Sequence, residues 1–247
     1  MIHSSNSEGG SIISEDEIFE IFEARSSNVD GHDPWRYGED VSALTDSVEV
    51  EWLVSRFKFL SDDVVVDVGC GTGRHAIQLS QKINCKAIFA CDFIDKNIHF
   101  LNNQADILSL ENLYGVVCNG AKFADFIDID RCDYILGIGF IQYLTTDPEL
   151  DSFAECCSRL LNSGGSLILK HPLSFVQTYL LDYYREDMQT RYISKYYDLN
   201  DLMRPFLKNF DLLSIERTFN ESNVGPLLDQ IEVDERARQM WIHLVKK

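Results

Sequence analysis

The chain has no C-x-x-C pair, no apolar run long enough to cross a bilayer and no surplus of basic residues. Each absence removes a class of protein. Without C-x-x-C or His/Cys spacing of the zinc type, the thiols at Cys70, Cys85, Cys91, Cys118, Cys132, Cys156 and Cys157 read as reduced packing residues, which fits a cytoplasmic location and no bound metal. Without a long apolar run, no membrane span is expected. With 22 Lys and Arg against 40 Asp and Glu, a net charge of -18, a nucleic-acid phosphate backbone is a poor partner. The amino terminus, Met1 to Gly10, has neither the basic start nor the apolar core of a leader and reads as a frayed tail. Internal repeats and low-complexity tracts are also missing.

What remains is a regular alternation. The 247 residues suffice for one α/β domain with a sizeable core. Strands are expected at Val64–Val68, Lys86–Cys91, Tyr114–Cys118, Tyr134–Ile138, Ser166–Lys170, Leu212–Arg217 and Met240–Val245. Helices are expected near Arg74–Gln81, Asp95–Ser109, Leu150–Leu161 and Leu199–Asn209. Strand and helix trading places in this way implies a doubly wound, mostly parallel sheet clad on both faces. The last two strands have no convincing helix between them, so they are expected to pair antiparallel at one sheet edge.

Ahead of the sheet, Ser14-x-x-Glu17 before Ile18, Phe19, Ile21 and Phe22 has the form of a capping box on a short amphipathic helix. Val48, Trp52, Leu53, Phe57 and Leu60 suggest a second helix that covers one sheet face. Residues 1–34 are read as a tail and helix that partly cap the molecule, and residues 35–247 as the main domain. The stretch of about 171–198, rich in tyrosine and charge, follows the carboxyl end of a strand, where open α/β sheets bind ligands. It is read as a substrate cap, against the alternative of a surface helical hairpin with tyrosines packed sideways.

The densest signal is Val64-Val-Val-Asp67-Val-Gly69-Cys-Gly71-Thr-Gly73-Arg74, an apolar strand running into three alternating glycines. Glycines at such a turn let backbone N–H groups approach a ligand closely. The nicotinamide fingerprint is G-x-G-x-x-G, whereas here the glycines alternate and a carboxylate stands two positions ahead of the first. A pyrophosphate is repelled by that carboxylate; a cationic ligand is attracted to it. A second acid, Asp92, closes the second strand about 25 residues on, where it can accept hydrogen bonds from ribose hydroxyls.

On these residues the chain resembles the class I S-adenosylmethionine-dependent methyltransferases, whose first motif is an acidic residue followed by G-x-G-x-G. The resemblance covers roughly residues 35 to 247 and takes in the reversed last strand, Gly137-Ile-Gly139-Phe140-Ile-Gln142-Tyr143 after strand four, and Leu160-Leu-Asn-Ser-Gly164-Gly165 before strand five. It implies a seven-stranded Rossmann-like methyltransferase fold, S-adenosyl-L-methionine as cofactor, and a cofactor site built from Asp67, Gly69, Gly71, Gly73, Asp92, Phe93, Asn119, Gly120, Gly139 and Tyr37. In that set Phe93 is placed against adenine, and Tyr37 over the methionyl end. Asn119 is a departure: the family usually has Asp there, and an asparagine carbonyl accepts the same bond from the adenine amino group. Gly120 and Ala121 are expected to leave their N–H groups open to the ring.

Methyl transfer from a sulfonium asks the protein mainly to align the acceptor and exclude water. Tyr143 and His171, at the exits of strands four and five, are the candidate catalytic residues, with His171 as the base if the acceptor must lose a proton. The alternative for His171 is a satisfied loop histidine next to Pro172. No Asn-Pro-Pro-aromatic tetrapeptide follows strand four, so amino methylation of DNA bases is disfavoured. A small-molecule acceptor, modified on nitrogen, oxygen or carbon, is expected, by a monomer or homodimer. Three alternatives stay open: aminopropyl transfer on the same fold, a non-catalytic cofactor-binding subunit, and a nicotinamide oxidoreductase.

Overall fold

A computed structural model of the chain describes residues 15–26, 39–185, 190–228 and 234–247. In chain order the elements are helices α1 (Glu15–Ser26) and α2 (Glu39–Arg56), strand β1 (Val64–Val68), α3 (Arg74–Lys82), β2 (Ala87–Asp92), α4 (Asp95–Ile107), β3 (Leu113–Val117), β4 (Cys132–Ile138), α5 (Asp147–Leu160), β5 (Leu161–Ser174), β6 (Tyr179–Arg185), β7 (Thr190–Tyr196), α6 (Leu199–Met203), β8 (Phe210–Arg217), α7 (Glu221–Val224) and β9 (Ala237–Lys246). Short 3₁₀ turns follow β3 at Gly120–Asp125 and β4 at Ile141–Tyr143. Ser14, the first residue of the expected capping box, lies outside the described residues.

Seven strands form one sheet in the order β3-β2-β1-β4-β5-β9-β8. The first five are parallel, and β9 inserts antiparallel between β5 and β8. The expected pairing of the last two strands is thus present, and β9 does more than that pairing required, because it also closes on β5 over Ser166–Ser174. The chain order reverses on either side of β1, with β2 on one flank and β4 on the other. Open α/β sheets bind ligands in the crevice above such a switch point.

Alternation within the strands builds two cores. Val64, Val66 and Val68 face α5 and α6, whereas Val65 joins Val50 and Leu53 of α2, Ala76 and Leu79 of α3, and Leu101 of α4. Asp67 shares the second face with Val65, so a carboxylate stands in an apolar layer. Trp52 of α2 stacks on Trp241 of β9 at 4.4 Å and 6°, which seals that layer at the far side. α5 starts where Thr146 and Glu149 make a reciprocal capping box.

The segment read as a cap is a β-hairpin, with β6 and β7 paired from Tyr179↔Tyr196 to Arg185↔Thr190. The alternative of a helical hairpin does not hold there. Helix α6 covers only Leu199–Met203 of the expected Leu199–Asn209, with turns completing the run to Phe210.

Candidate functional site

The crevice above β1 starts with backbone. Gly69, Gly71 and Gly73 have φ of 73°, 56° and 82°, left-handed values that disfavour a side chain. The loop is tied down by amides, since Gly69 and Cys70 both donate to the Cys91 carbonyl, at 2.8 and 2.9 Å. A Cβ on Gly69 would meet the Phe140 ring at 2.5 Å, but one on Gly71 would meet nothing within 4 Å. Gly71 therefore faces open space, as a residue that receives a ligand must. Cys70 within the turn has its thiol pushed well up by burial and by the charges of Asp92 and Asp67, so it packs as a neutral thiol.

Asp67 sits below this loop with 2% of its surface exposed. Its Oδ2 has no hydrogen-bond partner among the described residues. Burial, and then the neighbouring charge of Asp92, push its carboxyl up to about 7. A buried carboxylate oxygen without a donor is costly in the protein alone, and a cation or N–H donor placed above Gly71 would relieve it.

Asp92 ends β2 and serves the protein on both oxygens. Oδ2 accepts from the Gly71 amide at 3.0 Å; Oδ1 accepts from the Ile94 amide at 3.0 Å and from Asn97 Nδ2 at 3.1 Å. The acid expected to read a ribose thus also pins the glycine loop. Asn119 is likewise engaged: its side chain accepts from the Ala121 amide at 2.7 Å and caps the 3₁₀ turn. The Ala121 N–H expected to be open to a ring is therefore taken. Gly120 lies tight against Phe140 and Val68, and Gly139, with φ 66°, donates to the Lys170 carbonyl at 3.0 Å.

Above the loop the walls are apolar. Phe93 packs edge-on against Phe19 and Phe22 of α1, at 5.6 and 5.5 Å. Phe22 also meets the Tyr143 ring at 4.7 Å and 86°. Ile18 and Ile21 of α1 and Ile193 of β7 complete the cluster. Phe93 is thus covered by α1 rather than open, and α1 with the hairpin forms a roof over the ends of β2 and β4. Tyr37 lies outside the described residues.

His171 departs most from expectation. It is fully buried, and its Nε2 accepts the Tyr197 amide N–H at 3.1 Å. Burial pushes its pKa down to about 3. The ring is therefore neutral with its proton on Nδ1, and Nδ1 finds no partner among the described residues. A group this weakly basic, with its one lone pair already engaged, does not serve as a general base near neutrality. The expectation of a base is corrected to a buried acceptor that holds the Tyr197 amide just ahead of α6.

A cluster missed in the sequence lies beside the loop. Glu49 of α2, with 0% exposure, contacts Lys170 Nζ and His75 Nε2, each at 2.5 Å. One turn earlier Asp46 pairs with Arg74 at 2.5 Å and lies 3.8 Å from His75. The periodicity offered a signal, because Asp46 and Glu49 stand four residues before the core residues Val50 and Leu53. Ligand-type atoms of Asp46, Glu49 and His75 lie within 4.8 Å of one another, but Lys170 and Arg74 already neutralise both carboxylates.

Residues 65–165 match the family model of a methyltransferase domain. Among curated proteins, the chain is 30% identical over 59 residues to a probable cobalt-precorrin-6B C(15)-methyltransferase (decarboxylating) of Methanocaldococcus jannaschii, a match spanning 24% of this chain and 31% of that protein. Among solved structures, geranyl diphosphate C-methyltransferase of Streptomyces coelicolor A3(2), in complex with Mg2+, geranyl diphosphate and S-adenosyl-L-homocysteine, superposes with a TM-score of 0.69 at 14% identity, covering 93% of this chain and 98% of that one. Phosphoethanolamine N-methyltransferase 1 of Haemonchus contortus superposes with a TM-score of 0.67 at 17% identity, covering 94% and 48%.

Proposed function

We propose that this chain, which has the class I methyltransferase fold and carries a methyltransferase domain at residues 65–165, transfers the methyl group of S-adenosyl-L-methionine to a small-molecule acceptor. The observation that carries the reading is Asp67, a buried carboxylate with an unpartnered oxygen under a glycine loop that faces open space at Gly71. S-adenosylmethionine has the ammonium to relieve that carboxylate and the ribose to meet Asp92. A dinucleotide would bring its pyrophosphate to an acidic loop.

The donor is already activated, so the residues of this chain align and shield rather than form bonds. The Gly69–Gly73 backbone and Asp67 hold the donor. Phe22, Ile18, Ile193 and Tyr143 form an apolar wall beside the ends of β2 and β4, which excludes water and accepts the apolar body of an acceptor. The protein's net charge of -18 and its roofed site favour a small molecule over nucleic acid. Where the acceptor atom carries a proton, that proton leaves to solvent or to a group other than His171.

Incubation with methyl-labelled S-adenosylmethionine and an unfractionated cell extract, followed by separation of small molecules from protein and nucleic acid, tests the reading. Label should move into a small organic product with wild type and not with Asp67→Ala. Label found only in protein or nucleic acid would overturn the acceptor class.

A further inference from the structure

Glu49 is the most deeply buried acid among the described residues, and it joins two elements that the transfer reaction uses separately. His75, which it grips at 2.5 Å, is the second residue of α3 and follows Gly73 by two positions. Lys170, gripped by its other oxygen at 2.5 Å, stands inside β5 and receives the Gly139 amide on its carbonyl. One carboxylate therefore ties the exit of the glycine loop to β5 at the level where β4 ends, since Lys170 pairs with Ile138.

The helix that Glu49 holds has no side-chain cap at its start. α3 begins at a left-handed Gly73 with no side-chain cap and no acidic residue in its first turn. A helix start of that kind normally frays or waits for an anion, since its first N–H groups lack acceptors within the helix. Here its first two side chains are clamped from α2 instead, Arg74 by Asp46 and His75 by Glu49. Lys170 is also enclosed from its far side, with Nζ 5.3 Å from the centre of the buried Phe219 ring.

We infer that Glu49 is a positioning residue for donor binding, holding the first turn of α3, and with it the Gly69–Gly73 loop, in register with β5 at Lys170. The inference rests on the reading of the loop as an S-adenosylmethionine site. Glu49 touches neither donor nor acceptor; it acts through His75 and Lys170. A purely structural ion pair would affect stability alone, because replacing both members of a buried pair by uncharged groups commonly restores what removing one member loses.

Glu49→Gln and the double variant Glu49→Gln/Lys170→Met separate the two roles, with thermal unfolding and calorimetric titration of S-adenosylhomocysteine as readouts. Glu49→Gln is expected to unfold at lower temperature, because the buried Lys170 loses the carboxylate charge that it contacts. The double variant is expected to regain most of the midpoint, yet to bind S-adenosylhomocysteine at least fivefold more weakly than wild type, because removing Lys170 does not restore the carboxylate oxygen that His75 Nε2 contacts. Wild-type affinity in the double variant would overturn the inference and leave Glu49 a stability residue. Should wild type itself bind no S-adenosylhomocysteine, the donor reading falls instead, and the two failures are thereby distinguished.

Discussion

The Gly71 amide donates to Asp92 Oδ2 at 3.0 Å, so the acid that ends β2 fixes the midpoint of the glycine loop after β1. Asp92 also accepts from Ile94 and Asn97 and so starts α4. Its removal should loosen the loop and delete the proposed ribose contact together. Asp92→Ala is expected to weaken S-adenosylhomocysteine binding by more than tenfold, ~1.4 kcal/mol or above. An unchanged dissociation constant would take Asp92 out of the site.

Asp67 should make donor affinity depend on pH. Its carboxyl is held at about 7, and only the ionised form attracts an ammonium. Affinity for S-adenosylmethionine should therefore rise from pH 6 to pH 8 and flatten in Asp67→Asn, at a weaker level. The same shift acts on stability with a definite sign. The folded state keeps a proton that the unfolded chain loses above 3.8, so stability falls as pH rises from about 3.8 to about 7. At pH 8 Asp67→Asn should melt higher than wild type while binding less donor, and a lower midpoint would contradict the assigned burial.

The opposite sign applies to His171. With a folded pKa near 3, it binds its proton only in the unfolded chain between about pH 6.5 and 3, so its contribution to stability is present above 6.5 and fades as pH falls through that window. His171→Gln, which can still accept the Tyr197 N–H, should shrink this acid sensitivity. His171→Leu leaves that N–H buried without an acceptor and should lose about 1–3 kcal/mol in denaturant unfolding. A rate profile of wild type that inflects near 6.5 and flattens in His171→Gln would restore the general base.

The glycines divide by what surrounds them. Gly71→Ala should fold with a loss of about 1–2 kcal/mol for a left-handed alanine, because its Cβ meets no protein atom, and yet bind donor poorly. Gly73→Ala drives its Cβ into the Leu101 side chain and Gly69→Ala into the Phe140 ring, so both should be less stable than Gly71→Ala by chemical denaturation. Equal stability of the three would mean that the loop relaxes freely.

Local patterns made most of the sheet legible. β1 runs over Val64–Val68 as the apolar run suggests; β2 and β3 are each displaced by one residue, and β4, β5, β8 and β9 contain their expected stretches and run beyond them, because burial leaves apolar runs at the strand centres and not at their ends. The hairpin was harder to read, although Tyr179, Leu181 and Tyr183 alternate with Leu180, Asp182 and Tyr184, since aromatic and charged residues mask a period of two. Long-range pairing was not legible at all. Glu49 and Lys170 are separated by 121 residues, and nothing local says that a glutamate in Val48-Glu49-Val50 finds a lysine in a buried strand. For the same reason His171 reads as a base: it follows the expected strand Ser166–Lys170, whereas β5 continues to Ser174 and the Tyr197 amide meets its Nε2, neither of which is visible locally.

Calorimetric titration of the wild-type chain with S-adenosylhomocysteine, beside NADH under the same conditions, tests the central claim most directly. The account predicts saturable one-site binding of S-adenosylhomocysteine and none of NADH. Binding of NADH with no heat from S-adenosylhomocysteine would contradict it.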